Sequence, residues 1–198
     1  MKKRAFSPYR EDPMAEITTR EKLILAGMDE IRAYGLRGFS LRRVAASCGI
    51  SCAAPYKHFT GKQELFGEMV VYVNDKWRER QRTSLNIKQP VERAIADLAA
   101  DYVDFLCENP HFKAVLMIKE TGLDSPATAN AAGLSVPVKR LFIVYGRKRG
   151  LDREELRSRI FIVRSLIYGS AIILGTDQEL HDERIERLRS AILSALER

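Results

Sequence analysis

No aspartate or glutamate occurs between Glu30 and Glu64, yet that stretch carries Arg32, Arg37, Arg42, Arg43, Lys57 and Lys62. A surface without carboxylates lacks the repulsion that keeps polyanions away, and its cations release counterions when they meet phosphates. Long apolar runs are missing as well. The longest, Ile160–Leu174, is interrupted by Arg164, Ser165 and Ser170, so no membrane span is expected. Met1-Lys2-Lys3-Arg4 is basic but leads into no apolar signal core. Cysteine is scarce: Cys48, Cys52 and Cys107 are odd in number, lack ligand-like spacing, and read as thiols of a reducing cytoplasm. The sequence also lacks a phosphate-cradling glycine loop, a convincing carboxylate pair, and any Ser/His/Asp or metal-ligand spacing. Its histidines, His58, His111 and His181, are scattered. Neither catalysis nor a metal or other cofactor is expected.

The chain has 198 residues and a net charge of +7, with 45% apolar residues, enough for a substantial core. The charge is unevenly placed. Lys and Arg outnumber Asp and Glu by 16 to 10 in residues 1–82, but only by 17 to 16 in residues 83–198. The excess sits where a polyanion would bind.

Period-2 alternation is absent and the apolar spacing is helical throughout, so an all-α fold is expected. Residues 1–17, with Pro8 and Pro13, read as a flexible basic arm. A first helix starts at the capping box Thr18-x-x-Glu21, continues through Ile24, Leu25, Met28 and Ile31, and stops at Gly35. Ser40 caps a second helix that turns inward Leu41, Val44 and Ala45. Gly49 supplies a tight turn, and Ser51 caps a third helix with Pro55 in its first turn and Phe59 closing the core. Thr60-x-x-Gln63 opens a long fourth helix running to about Thr83. A linker at 84–90 follows, then a helix from Val91 to the Asn109-Pro110 break and a short one over His111–Lys119. Residues 121–137 read as a loop. Val138–Arg149, a helix capped by Asp152-x-x-Glu155 running to about Gly175, and a last helix over 182–197 complete the pattern.

Two short helices around a glycine turn, with a slim Ser-Cys-Ala-Ala start to the second, fit a major groove about 12 Å wide. The residues Gly35, Gly38-Phe39-Ser40-Leu41-Arg42-Arg43-Val44-Ala45, Gly49-Ile50-Ser51, Tyr56-Lys57-His58-Phe59, Lys62 and Glu64-Leu65-Phe66 resemble the N-terminal domain of the tetracycline-repressor (TetR) family of bacterial transcriptional regulators. That resemblance covers residues 18–70, about a quarter of the chain. It implies a three-helix DNA-binding domain, here residues 18–64, and a larger helical regulatory and dimerisation domain, residues 65–198. It further implies a cytoplasmic homodimer on a palindromic double-stranded operator, released by a small-molecule effector. The alternative is a ligand-independent helical DNA-binding protein or an activator.

By position, the resemblance assigns Ser40, Tyr56, His58 and Lys62 to phosphate contact and Cys52, Ala53 and Lys57 to base reading. Arg42, Arg43 and Ser51 join the candidate DNA-binding set, although both arginines also fit a merely solvated face. Pro55 departs from the family pattern, and Cys52-Ala53-Ala54 offers few hydrogen-bonding groups. Thymine methyls, Lys57 on guanine and DNA shape are therefore expected to carry more of the specificity.

In the second domain the apolar Ile160–Leu174 helix, with Gly169, suggests a dimer surface of Ile162, Ser165, Leu166, Gly169, Ile173, Ile185, Leu188 and Ile192. Candidate ligand-pocket residues are Tyr102, Phe105, Phe112, Met117, Phe142, Tyr145, Arg164 and Tyr168, with 121–137 as an entrance flap. Aromatic residues at helical spacing equally suit an ordinary core. Arg164, inside an apolar helix, needs a carboxylate of the chain or an anionic ligand.

Overall fold

The structure, a computed structural model, describes residues 17–84, 86, 88–113, 136–174 and 181–197. These form seven α-helices and two 3-10 turns, with no strand among the described residues. The helices are α1 (Thr19–Tyr34), α2 (Leu41–Ser47), α3 (Lys62–Ser84), α4 (Val91–Glu108), α5 (Val136–Arg149), α6 (Arg153–Ile173) and α7 (His181–Glu197). The 3-10 turns are Ala54–Lys57 and Pro110–Lys113.

The chain divides into two compact units, neither a single stretch: residues 1–75 with 108–132, and residues 76–107 with 133–198. Helix α3 contributes Lys62–Asp75 to the first and Lys76–Ser84 to the second.

In the first unit, Thr18 caps α1: its Oγ1 accepts the Glu21 N–H at 3.2 Å. The reciprocal half of the expected box is replaced, because the Glu21 carboxylate accepts the Tyr72 hydroxyl at 3.0 Å. The core comprises Leu23, Ile24, Met28 and Ile31 of α1, Val44 and Ala45 of α2, Phe59, and Leu65, Phe66, Met69, Val70 and Val73 of α3. Phe39 meets Phe66 edge-on with centroids 4.7 Å apart. Helix α1 also packs against the Pro110–Lys113 turn, where Phe112 is buried against Tyr72 and His111.

The second unit has its own core: Val91, Ile95, Ala96, Ala99 and Val103 of α4, Phe142 and Tyr145 of α5, Val163 of α6, Leu174, and Ile185, Leu188, Ile192 and Leu196 of α7. The Tyr145 hydroxyl donates to the Leu196 carbonyl at 2.7 Å, satisfying one of the free acceptors at the end of α7. Asp152 caps α6 as a full box. Its Oδ1 accepts the Glu154 and Glu155 N–H groups, and Glu155 Oε2 accepts the Asp152 N–H at 2.8 Å.

Several boundaries differ from the sequence expectation. The third helix is a single 3-10 turn with Pro55 in its first turn and His58 at its C-terminal end. Ser51 serves it through its carbonyl, which accepts the Ala54 N–H at 2.9 Å, and no side chain caps it. The Thr60 box closes on Glu64, not Gln63: Glu64 Oε2 accepts both the N–H and the hydroxyl of Thr60, each at 2.7 Å. Helix α5 begins two residues early and α6 ends at Ile173. Of the segment expected as a helix over His111–Lys119, only the 3-10 part is described. Met117 and 121–135 lie outside the described residues, and so does the 1–16 arm.

Candidate nucleic-acid interface

The interface is built on two turns. In the first, Gly38 lies so close to α1 that a Cβ there would approach the Tyr34 carbonyl oxygen to 2.5 Å, which admits only glycine. That approach delivers Ser40 to the start of α2, where its Oγ accepts the Arg43 N–H at 3.4 Å. In the second, Gly49 takes φ 69°, and the Gly49 and Ile50 N–H groups bond the Ala46 and Ala45 carbonyls. The chain thereby reverses into the Ala54–Lys57 turn. Buried Pro55 and Phe59 anchor that turn from beneath.

With the apolar side fixed, the polar side chains face outward. Arg42, Ser51, Cys52, Ala53, Tyr56, Lys57, His58 and Lys62 are all exposed, and Ser40 is half-buried as a cap. Tyr56 is 61% exposed, far too open for a core ring. Arg37, Arg42, Lys57 and Lys62 make no ion pair among the described residues. Their charge is therefore available to an external anion.

The carboxylates flanking this face are engaged by neighbouring groups of the chain. Glu30 is 8% exposed and accepts Arg43 Nε at 2.8 Å and the Ser40 N–H at 3.2 Å. Glu64 is bound by Thr60, and the Thr60 hydroxyl, then the Thr60 N–H, hold its carboxyl below the usual range. Lys62 sits in the first turn of α3, where the helix dipole opposes a cation.

Arg43 stands apart from the other candidates. Its guanidinium bonds Glu30 and the Gly38 carbonyl and lies 4.2 Å from the centre of the Tyr34 ring. It is committed to holding α2 against α1, so its role is positioning. Glu30 is the residue missed by sequence reasoning. Its one visible signal is that it borders the acid-free stretch.

Cys48 is half-buried, its thiol donates to the Lys22 carbonyl at 3.6 Å, and burial pushes its pKa up. Cys52 is exposed on the turn. No group of three metal-ligating side chains occurs among the described residues. No described helix is long and apolar enough to cross a membrane.

The second unit sorts the remaining candidates. Phe142 and Tyr145, proposed for the pocket, are core residues at 2% and 1% exposure, with the Tyr145 hydroxyl already bonded. Phe112 belongs to the first unit. Tyr102 and Phe105 form an aromatic group with Trp77, with Trp77 centroids 4.8 and 5.5 Å from theirs. Arg164 donates to the Tyr168 hydroxyl at 3.2 Å.

Of the dimer candidates, Ile185, Leu188 and Ile192 fill the unit's own core, because α7 turns its apolar stripe inward onto α6. Leu166 packs partly on that core as well. Ser165 and Ile173 are exposed, Ile162 and Gly169 are half-buried, and a Cβ at Gly169 would meet nothing. Phe161 and Ile172, absent from the sequence-based set, are 71% and 75% exposed.

Comparison with known proteins agrees with this geometry. Residues 23–69 match the family model described as bacterial regulatory proteins, tetR family. The HTH-type transcriptional regulator CymR of Pseudomonas putida is 25% identical over 181 residues, spanning 88% of this chain and 87% of the relative. Among solved structures, the TetR family transcriptional regulator PfmR from Thermus thermophilus aligns with a TM-score of 0.62 at 17% identity, covering 89% of this chain and all of the other. The transcriptional regulator FadR from Bacillus subtilis, crystallised in complex with stearoyl-CoA, aligns at 0.62 and 12% identity over 88% of this chain and 96% of the other.

Proposed function

This chain is a TetR-family transcriptional regulator, and from that premise we propose that it is a homodimeric repressor of a palindromic operator, released by a small-molecule inducer. The observation that carries the reading is the carboxylate-free face from Ser40 to Lys62. Exposed Arg42, Tyr56, Lys57, His58 and Lys62 surround the Ala54–Lys57 turn there.

Lys62 and the Ser40, Tyr56 and His58 hydrogen-bonding groups hold phosphate oxygens. Cys52, Ala53 and Lys57 meet base edges, where Lys57 donates to guanine and the small side chains pack on thymine methyls. Dimerisation is supported by the open α6 face of Phe161, Ser165, Gly169, Ile172 and Ile173. An apolar stripe of that length is costly in water and suits a second copy. The inducer acts by linkage. A tenfold loss of operator affinity needs only about 1.4 kcal/mol of coupling, which α3 can transmit because it contributes residues to both units.

The test is selection from random duplexes at low salt, followed by salt titration of the selected site. Lys62→Ala should weaken binding to all sequences and lower the salt slope by about 1, whereas Lys57→Ala should relax sequence preference. Failure to select any duplex, or binding unchanged in both variants, would refute the assignment.

A further inference from the structure

The second unit treats its half-buried arginines unequally. Arg80 pairs with Asp101 at 2.7 Å, Arg189 with Asp97 at 3.2 Å, and Arg159 with the Ala195 carbonyl at 2.9 Å. Arg164, like the half-buried Arg184, meets no carboxylate and no carbonyl among the described residues. Its partners there are the hydroxyl of Tyr168, at 3.2 Å, and the Tyr168 ring, at 5.5 Å. A partly desolvated guanidinium without a counter-charge is costly unless an anion completes it.

Among the described residues, two phenols lie at this site. The Tyr168 oxygen accepts from Arg164, which leaves the phenolic hydrogen free to donate. Tyr102 lies near Tyr168, and its hydroxyl makes no hydrogen bond among the described residues. Burial, reinforced by the neighbouring Tyr168, pushes the Tyr102 phenol far above its usual pKa, so it keeps its proton as a donor. Behind Tyr102 stand Trp77 and Phe105, with Phe105 stacked on Tyr102 at 6.3 Å.

We propose that Arg164, Tyr168 and Tyr102 form the receptor for the carboxylate of a small aromatic monoanion, whose ring lies beside Trp77 and Phe105. One guanidinium balances one negative charge, and two phenols donate to the remaining lone pairs. A phosphate dianion would bring a second charge that Arg164 alone does not balance. The inference rests on the effector-binding reading above and names the class of that effector.

Trp77 is the chain's only tryptophan, so its fluorescence reports on this site directly. The intact protein is titrated with benzoate, phenylacetate and 2-naphthoate, with their primary amides, and with phenyl phosphate. At least one carboxylate should give a saturable change, and its amide and the phosphate should bind at least tenfold more weakly. Arg164→Gln should weaken that carboxylate about thirtyfold, while Arg164→Lys restores part of the loss. Saturation by none of the three acids, equal binding of acid and amide, or an unaltered affinity in Arg164→Gln overturns the proposal. If Arg164→Gln does not fold, Tyr168→Phe decides: it should weaken the acid several-fold and spare the amide, and equal losses overturn the proposal. Operator release, measured in parallel, separates the two readings. Arg164-dependent binding without release leaves the receptor standing and removes the inducer role. Release by a neutral compound that ignores Arg164 does the reverse.

Discussion

Arg43 Nε donates to Glu30 Oε1 at 2.8 Å, which couples α2 to α1 through a buried carboxylate. The neighbouring Arg42 is exposed and unpaired among the described residues. Adjacent arginines thus have opposite duties. Arg43→Ala should lower stability by about 2 kcal/mol, since it strands Glu30; half-exposure of Arg43 keeps this below the fully buried case. The melting temperature should fall by roughly 6 °C. Arg42→Ala should leave the melting temperature within about 1 °C and instead reduce the salt dependence of DNA binding. Calorimetry and a salt titration on both variants check this, and equal melting temperatures would contradict it.

Gly27 and Met69 form a second testable pair. A Cβ on Gly27 would come within 2.1 Å of Met69 Cε, and Met69 is fully buried. Gly27→Ala should therefore destabilise by about 1 kcal/mol, because repacking outweighs the gain in helix propensity. In a Met69→Ala background the obstruction is gone, and the same substitution should stabilise by about 0.5–1 kcal/mol. Urea denaturation of the four proteins gives the cycle, and a same-sign effect in both backgrounds would contradict the packing account.

Glu92 links α4 to α5 through Lys148, whose Nζ lies 3.0 and 2.9 Å from its two oxygens. Burial alone would raise the Glu92 pKa, but the Lys148 hydrogen bond and charge, with Arg149, outweigh it and leave the carboxyl below its usual value. A folded-state pKa below the unfolded one contributes stability that is complete above about pH 4.3 to 5 and disappears as pH falls through the folded value. Lys148→Met should cost about 1 kcal/mol at pH 7, a modest figure because Lys148 is largely exposed. The difference from the unsubstituted protein should shrink as pH falls below the ordinary glutamate range. Melting curves from pH 3 to 8 test the sign.

Ile172 and Ile192 separate the surface from the core. Ile192 is fully buried, and Ile192→Ala should cost about 3 kcal/mol without a change in assembly at a temperature where the protein stays folded. Ile172 is 75% exposed, and Ile172→Glu should leave each subunit stable while shifting sedimentation from dimer to monomer. A monomeric unsubstituted protein, or an Ile172→Glu dimer of undiminished affinity, would remove α6 as the dimer surface.

Much of the local architecture is legible in the chain itself. Thr18, Ser40 and Asp152 cap their helices because a short oxygen-bearing side chain just ahead of an apolar period bonds the first free N–H groups. Gly35, Gly49 and Gly150 stop or turn the chain at positive φ, as their positions after apolar runs indicate. The acid-free stretch is likewise a property of composition alone. Other features stay hidden because one helical period serves several ends. Ile185, Leu188 and Ile192 share the spacing of an interface helix, yet they fill their own unit. Phe142 and Tyr145 look like pocket rings and are core.

The order of residues determined the all-helical pattern, the caps and the concentration of unopposed cations near the N-terminus, since each depends on neighbours within a few positions. Tertiary structure alone decided that Glu30 would neutralise Arg43 and not Arg42, that α7 would face inward while Phe161 and Ile172 face out, and that Arg164 would meet the Tyr168 phenol. Those outcomes turn on which side chains distant in sequence arrive at the same place, and the free energy of burying a charge or a ring is set by that company.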